Sequence, residues 1–552
     1  VLDLILAGGE VYDGSGKSPA RADVGILSGR VATLGDGLRA PARRTLDVSG
    51  LAVAPGFIDP HSHADLLVVR DGPQAAALLS PRLRQGITTI LVGNCGMGAV
   101  PLTPATEPGL RALAGWMSPG DSPWPWSDLA SYLDHLSARP LPLNVGALQP
   151  HGPLRLEAFG AVPGRAQASG IARMRRRTRE ALEAGAFGVS AGLIYPPGMY
   201  SDTDELIGIA EIAARFDAIF TCHVRGSSEL LLPATDELLA IGRTAGCRVH
   251  HSHSEAVGRA HWWKVDEVLE REERARRAGV RVGHDLFPYH AAATMLAALF
   301  PPSALAGGIA ALLERLRSPR EREVVRMEIE QTQPIWPPWE AGGWPHNLVR
   351  AVGWGSIRVA SLPDAADDPG VLGLDLATLA QRRKVTPFAA LCDLMLTHRG
   401  GVGQLLFGIS GDDDDDSPLR SLLSDPHGAI CTDAEDLGRG SPHPAAHGAF
   451  PRVLGHWSRE RGTLTLSEAI RRMTALPAEQ FGIARRGRIA PGFHADCVVF
   501  DPAEVGDRAT YTAPRLAPAG IHHVLVAGEP VVRDGVPTGA HPGRVLRRGE
   551  AA

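Results

Sequence analysis

Eight short apolar, β-rich runs recur along the middle of this chain, at 53–59, 88–94, 143–149, 186–192, 218–224, 247–253, 280–287 and 428–434. Between them lie amphipathic stretches with helical spacing, including 164–185, 203–217, 263–278 and 465–482. Gly185, Gly246, Gly279 and Gly400 each follow such a charged stretch, the place a helix C-cap takes. Strand-then-helix units repeated in this way predict a parallel sheet of the α/β class, and eight of them predict a closed (β/α)8 barrel. Two further runs, 356–361 and 405–410, take the strand count above eight and distort the simple pattern.

The two ends read differently. Residues 1–55 carry short strands (Asp3 to Leu6, Gly9 to Tyr12, Val24 to Leu27, Val31 to Leu34) broken by turn pairs such as Asp13-Gly14 and Ser28-Gly29. Residues 484–552 read the same way, with β-rich Asp496 to Phe500 and His523 to Val526. Neither end is long enough to bury a good core alone, so both are expected to pair into one small β-sandwich, leaving 56–483 as the barrel. Two segments break the barrel rhythm. Residues 101–127 hold Trp116, Trp124 and Trp126 among prolines, and 290–350 hold Trp336, Trp339 and Trp344. Long insertions of this kind are either packed loops or walls of a pocket. The run Asp412 to Asp416 reads as a solvated turn and helix start, because five crowded carboxylates repel one another.

Composition narrows the function. A net charge of −5 over 552 residues, with no sustained basic stripe, argues against a nucleic-acid binder. No run of 18 apolar residues is present, so no membrane span is expected, and no signal peptide is visible. The six cysteines lack a framework spacing and read as reduced thiols of a cytoplasmic protein. Nearly all the positive charge is arginine, since Lys17, Lys264 and Lys384 are the only lysines.

The ends of the strand-like runs carry the chemistry. The first leads into His61-Ser62-His63, two imidazoles that an extended strand points to one face. The second leads into Cys95, the fifth into His223, the sixth into His253 and the last into Asp433. In a parallel barrel such positions converge on the C-terminal face. Two histidines, a cysteine, two more histidines and an aspartate form a donor set for one or two zinc ions.

These residues, with the segments around them, resemble the amidohydrolase superfamily, and more narrowly the D-aminoacylase (N-acyl-D-amino-acid deacylase) family. The resemblance is carried by Gly56-Phe57-Ile58-Asp59-Pro60-His61-Ser62-His63-Ala64-Asp65, Val92-Gly93-Asn94-Cys95-Gly96 and Gly192-Leu193-Ile194-Tyr195-Pro196-Pro197-Gly198. Phe287-Pro288-Tyr289 and Phe450-Pro451-Arg452-Val453-Leu454-Gly455 add to it, and it runs on to Gly492-Phe493-His494-Ala495-Asp496. It implies a distorted barrel with a β-sandwich from both termini, and hydrolysis of a small N-acyl amide. It implies a tight zinc held by Cys95, His223 and His253, a second, weaker site at His61 and His63, and Asp433 as the acid/base group. No lysine ends a strand in this ring, so a bridging carboxylated lysine is not expected, and the Cys95 thiolate is the natural replacement.

Around the metal, His251 or Tyr195 could stabilise a developing oxyanion. Tyr289 matches a family position near the substrate carboxylate. Arg225, two residues after His223, could bind an anion bidentately. One position departs from the family: where it carries a lysine that grips the substrate carboxylate, this chain has Glu255. A cyclic-amide hydrolase of the hydantoinase or dihydroorotase kind is an alternative on the same fold, and a metal-free binding homologue is another.

Overall fold

The computed structural model describes residues 1–118, 120, 122–337, 343–363, 368 and 370–550, so Trp339 of the second insertion lies outside the described residues. All eight apolar runs of the middle form strands. Three of these strands, Phe57–Asp59, Ile87–Val92 and Asn144–Ala147, pair in parallel in that order. Six more follow in a second parallel sheet: Gln149–Pro150, Gly188–Gly192, Ile219–His223, Arg248–His251, Val282–Leu286 and Gly428–Ile430. Nearly every residue in them is buried, because crossover helices such as Ala168–Glu183, Thr203–Arg215, Leu231–Ala245 and Lys264–Arg277 cover the outer face. Gly185 and Gly246 take positive φ (102° and 69°) at two of the helix ends, a conformation that costs a side-chain-bearing residue energy.

The two parallel arcs meet at both ends. Leu148 alone separates Asn144–Ala147 from Gln149–Pro150, and its N–H donates to the Val92 carbonyl at 2.9 Å. On the other side the chain after Gly428–Ile430 is stitched to the first strand. Asp433 N–H donates to the His61 carbonyl at 3.1 Å, and Thr432 donates to Asp59 from its N–H (3.1 Å) and its hydroxyl (2.6 Å).

The expected run 53–59 splits at Gly56. Ala52–Pro55 turns away into a different sheet, and a Cβ at Gly56 would lie 2.3 Å from the Thr88 hydroxyl. That sheet has nine strands and draws on both ends of the chain, with Cys497–Phe500 lying antiparallel against Ala52–Pro55. Leu6, Val24, Ile26, Val53, Cys497, Val499 and Leu525 form its core. Leu2–Val11 is one strand where alternation suggested two, because a register shift between Leu6 and Gly9 absorbs the irregularity. Asp496 fastens this sheet to the parallel arcs. Its carboxylate takes the Arg486 guanidinium, Asn144 Nδ2 (3.2 Å) and the Ala527 N–H (2.7 Å), all in the interior. The chain beyond Val536–Pro537 leaves the sheet and runs beside Asn144–Ala147, where Val145 donates to the Arg544 carbonyl and Leu546 to that of Val145.

The two surplus runs are a separate element. Ile357–Ser361 and Gly403–Phe407 form an antiparallel sheet with Ala291–Met295, a strand that its alanine-rich sequence does not announce. The stretch 465–482 is two helices, Leu466–Met473 and Ala475–Phe481, broken at Thr474. The acidic run is a turn, with Asp412 Oδ1 accepting the N–H groups of Asp414 and Asp415 ahead of the helix Ser417–Ser424. All six cysteines are free and buried, and among the described residues no helix is long and apolar enough to cross a membrane.

Candidate metal and catalytic site

The parallel direction of the arcs puts the C-terminal ends of their strands on one side. His61, Cys95, His253 and Asp433 lie just beyond four of those ends, and His223 is the last residue of a fifth strand. Their donor atoms converge. Cys95 Sγ lies 3.2 Å from His61 Nε2 and 3.4 Å from His253 Nε2. His61 Nε2 and His63 Nε2 lie 3.4 and 3.3 Å from Asp433 Oδ1. Three overlapping triads have all donors within 4.8 Å of one another: Cys95, His223 and His253; His61, His63 and Cys95; His61, His253 and Asp433. All of the expected ligands and the acid/base candidate are thus brought to one place.

Three of these residues are held in the left-handed region: Cys95 (φ 51°), His253 (34°) and Asp433 (43°). Each such conformation costs a non-glycine residue on the order of 1–3 kcal/mol and persists only where the surroundings dictate it. Here they do. His253 N–H is bound by Asp285 Oδ1 at 2.5 Å, and Asp433 N–H by the His61 carbonyl. The Cys95 carbonyl lies so close to Gly192 that only a glycine fits beneath it.

The cluster is electrically unusual. Burial alone would raise the Cys95 thiol, but the charges of His61 and His253, with the hydrogen bond to His253, bring it well below the ordinary range. Burial opposes protonation of His63 and His253 in turn, yet Asp433 and Cys95 push them up to about 10 and about 9. His223 moves the other way, down to about 4, through burial and the neighbouring His253 charge. Both ring nitrogens of His223 are buried without a hydrogen-bond partner. A thiolate, a carboxylate and an unpartnered imidazole crowded together call for a positive ion at their centre. Soft sulfur with imidazole nitrogen selects zinc among the common divalent ions.

Behind the donors stands a set of residues that the sequence does not single out. Asp285 lies 3.3 Å from His61 Nδ1 and 2.8 Å from His250 Nε2, besides holding His253 N–H. It thereby fixes which face His61 turns to the cluster, as carboxylate partners of metal-bound histidines do. Burial would raise the Asp285 carboxyl, but the charges of His61 and His250 hold it well below the usual range. Glu435 accepts from the His63 N–H at 3.0 Å and pairs with the buried Arg82 guanidinium. Asp285 lies two residues before Phe287-Pro288-Tyr289, and Glu435 two after Asp433, so proximity to a motif was the only available signal.

Beside Cys95 opens a narrow cavity of about 20 Å³, walled by Leu110, Leu113, Ala114, Met117, Tyr195 and Met295. That is room for about one water. Leu110, Leu113 and Ala114 come from the helix Glu107–Ala114, and the Trp116 and His63 rings meet edge-on with their centroids 5.7 Å apart. The first insertion is therefore a wall of the site. The second contributes Met295, and Thr294, whose hydroxyl lies 2.8 Å from that of Tyr195.

The remaining candidates divide. Tyr195 packs its ring 5.1 Å from His223, and burial first, then the Cys95 charge, keeps its hydroxyl protonated to well above the usual value. Tyr289 lies under the Arg452 guanidinium (4.8 Å) and against His443 (5.1 Å). Glu255 is buried next to the ligands, its Oε1 3.8 Å from His253 Nδ1. Burial pushes its carboxyl up to about 7, with the His253 charge working against that rise. Two expectations are corrected. Arg225 does not face the ligands: Glu237 holds its Nε and Nη2, both at 2.9 Å, and the Met199 and Ser201 carbonyls take further bonds. His251 turns outward to Glu272 (3.1 Å) under the helix Lys264–Arg277, so of the two oxyanion candidates only Tyr195 borders the cluster.

Comparison with known proteins agrees with this geometry. The chain is 38% identical over 551 residues to the N-acyl-D-glutamate deacylase of Alcaligenes xylosoxydans xylosoxydans, covering 99% of this chain and 97% of that one. Its fold is similar to that of N-acyl-D-glutamate deacylase from Bordetella bronchiseptica, solved with zinc and a phosphonate that mimics the tetrahedral intermediate (TM-score 0.80, 34% identity, 99% of each chain). It is equally similar to a D-aminoacylase with a binuclear metal centre, in which one metal activates and the second attenuates (TM-score 0.80, 31% identity, 99% of this chain and 100% of that one). The family model that matches spans residues 44–323 and 365–532, and this chain belongs to the amidohydrolase family.

Proposed function

We propose that this chain is a zinc-dependent amidohydrolase that removes the acyl group from an N-acyl-D-amino acid or a related N-acyl compound. The observation that carries the reading is the convergence of Cys95, His223 and His253 with the His61/His63 pair and Asp433 at the ends of five parallel strands. The two arcs form a distorted (β/α)8 barrel, and the nine-stranded sheet from both chain ends is a sandwich folded around its own core. Cys95, His223 and His253 would hold the tight zinc, and His61 and His63 would belong to the weaker site. Relatives at this level of identity act on open-chain N-acyl amino acids, which favours deacylation over cyclic-amide hydrolysis.

When bound, zinc polarises the scissile carbonyl and makes a water molecule acidic enough to act near neutral pH. The chain's own groups do the rest. Asp433, against both His61 and His63, accepts the proton of the attacking water and returns it to the departing nitrogen, which would otherwise leave as a poor amide anion. The Tyr195 hydroxyl, kept protonated, donates to the oxygen on which charge builds. Asp285 keeps His61 in register, and the apolar lining of the narrow cavity beside Cys95 borders the acyl side of the substrate. The test is metal analysis with acetate release from N-acetyl-D-amino acids. We expect about one to two zinc per chain, and Cys95→Ala losing zinc and activity together. A Cys95→Ala protein with full zinc and turnover would refute the assignment.

A further inference from the structure

Glu255 is an acidic side chain beside the ligands that neither the ligand set nor the proposed proton transfer uses. It is buried, and its Oε2 has no hydrogen-bond partner. The charged groups that bear most strongly on it are His253, Asp433, Cys95 and His61, two of which are anionic in their own right. Cations near it in the sequence are engaged elsewhere. Arg225 is gripped by Glu237, Lys264 Nζ donates to the Ser228 and Glu229 carbonyls at 2.8 Å each, and Arg259 pairs with Asp412 at 3.4 Å. A carboxylate oxygen left bare in the interior is costly, and native proteins keep such groups where a ligand or a function satisfies them.

The narrow cavity beside Cys95 has an apolar lining that would border the acyl side of a substrate, and Glu255 takes no part in lining it. We infer that Glu255 sets substrate choice by accepting an N–H or cationic group carried on the amine half, so that the preferred substrate is an N-acyl compound whose carboxylate is masked as an amide. A free carboxylate at that position would meet a second carboxylate, while Arg225 and Lys264 are engaged by other partners. This inference rests on the deacylase reading above. A competing role, orientation of His253 through its Nδ1, is disfavoured by the 3.8 Å separation, which exceeds hydrogen-bonding reach.

The experiment compares kcat/KM for acetate release from N-acetyl-D-leucine and N-acetyl-D-leucinamide, using the zinc-loaded full chain, with zinc content measured throughout. Wild type should favour the amide by roughly 10–100-fold, the worth of one hydrogen bond to a charged group. Glu255→Gln should narrow the ratio, and Glu255→Lys should reverse it, at unchanged zinc content. A wild-type preference for the free acid overturns the inference while leaving the deacylase reading intact, and it needs no variant. If Glu255→Gln loses zinc and activity in parallel at a constant amide-to-acid ratio, Glu255 serves His253 instead and the inference falls. Acetate release from neither compound would sink the deacylase reading and this inference with it.

Discussion

Gly192 gives the sharpest test of how the site is built. It closes the strand Gly188–Gly192, and its φ is not in the left-handed region, so its backbone would accept alanine. The obstacle is purely steric. An ideal Cβ there falls 1.9 Å from the Cys95 carbonyl oxygen and 2.7 Å from its carbon. Real Cβ atoms stay beyond 3.0 Å, so at least 1.1 Å of movement is required, and both clashing atoms are backbone with no rotamer to escape into. The Cys95 backbone cannot yield cheaply, because Gly96 N–H is tied to the Ser190 hydroxyl at 3.0 Å and its own Cβ position is blocked at 2.6 Å by Gly192 N. Gly192→Ala should therefore cost about 1–3 kcal/mol of stability, as overpacking does. It should also displace the thiolate by about 1 Å, enough for a loss of roughly 10²-fold in kcat/KM. The assay is zinc content and acetate release beside urea unfolding, since the folded variant should bind zinc weakly. A Gly192→Ala enzyme with wild-type zinc content, stability and turnover would show that the Cys95 position is not set by this contact.

Two further outcomes are expected. Asp433→Asn should keep the fold and most of the zinc while kcat falls by roughly 10²–10⁴, the usual size of a general acid–base contribution; an unchanged kcat would mean that another group moves the proton. His443 is buried and neutral, lowered to about 4 by burial first, with Nε2 donating to the Ala291 carbonyl at 2.9 Å. Above pH 6.5 neither folded nor unfolded chain protonates it, whereas between 6.5 and about 4 only the unfolded chain takes up the proton, so stability falls as pH drops through that window. The loss assigned to it between pH 7 and 5 is about 2 kcal/mol, and His443→Asn should lose correspondingly less over that interval in urea unfolding. Equal losses in both proteins would contradict the assignment.

How far the chain could be read from its residues follows from the range of the forces involved. Strand–helix alternation and the donors at strand ends are local signals: burial on both faces demands continuous apolar runs, and parallel pairing brings their C-terminal ends together. That is why His61, His63, Cys95, His223, His253 and Asp433 were all legible before any coordinates. Arg225 is assigned by the two-residue alternation of a strand, and Ile219–His223 ends at His223, so the alternation no longer applies where it is used. The sequence leaves His251 beside Tyr195 as an open choice, and the His251 ring turns to Glu272 instead. Beyond the strand ends Arg225 follows Glu237 on the helix Leu231–Ala245, and His253 reaches the cluster through a φ of 34°. The Asp285–His61 contact, Glu435 and the Ala291–Met295 strand depend on partners more than a hundred residues away, and no local pattern encodes such a meeting. Thus the sequence alone determined the strand–helix alternation and which donor-bearing side chains meet at the strand ends. Only the tertiary structure decided which neighbours orient them, which cations are already engaged, and that Glu255 stands bare among them, because burial and long-range pairing exist only once the chain has closed on itself.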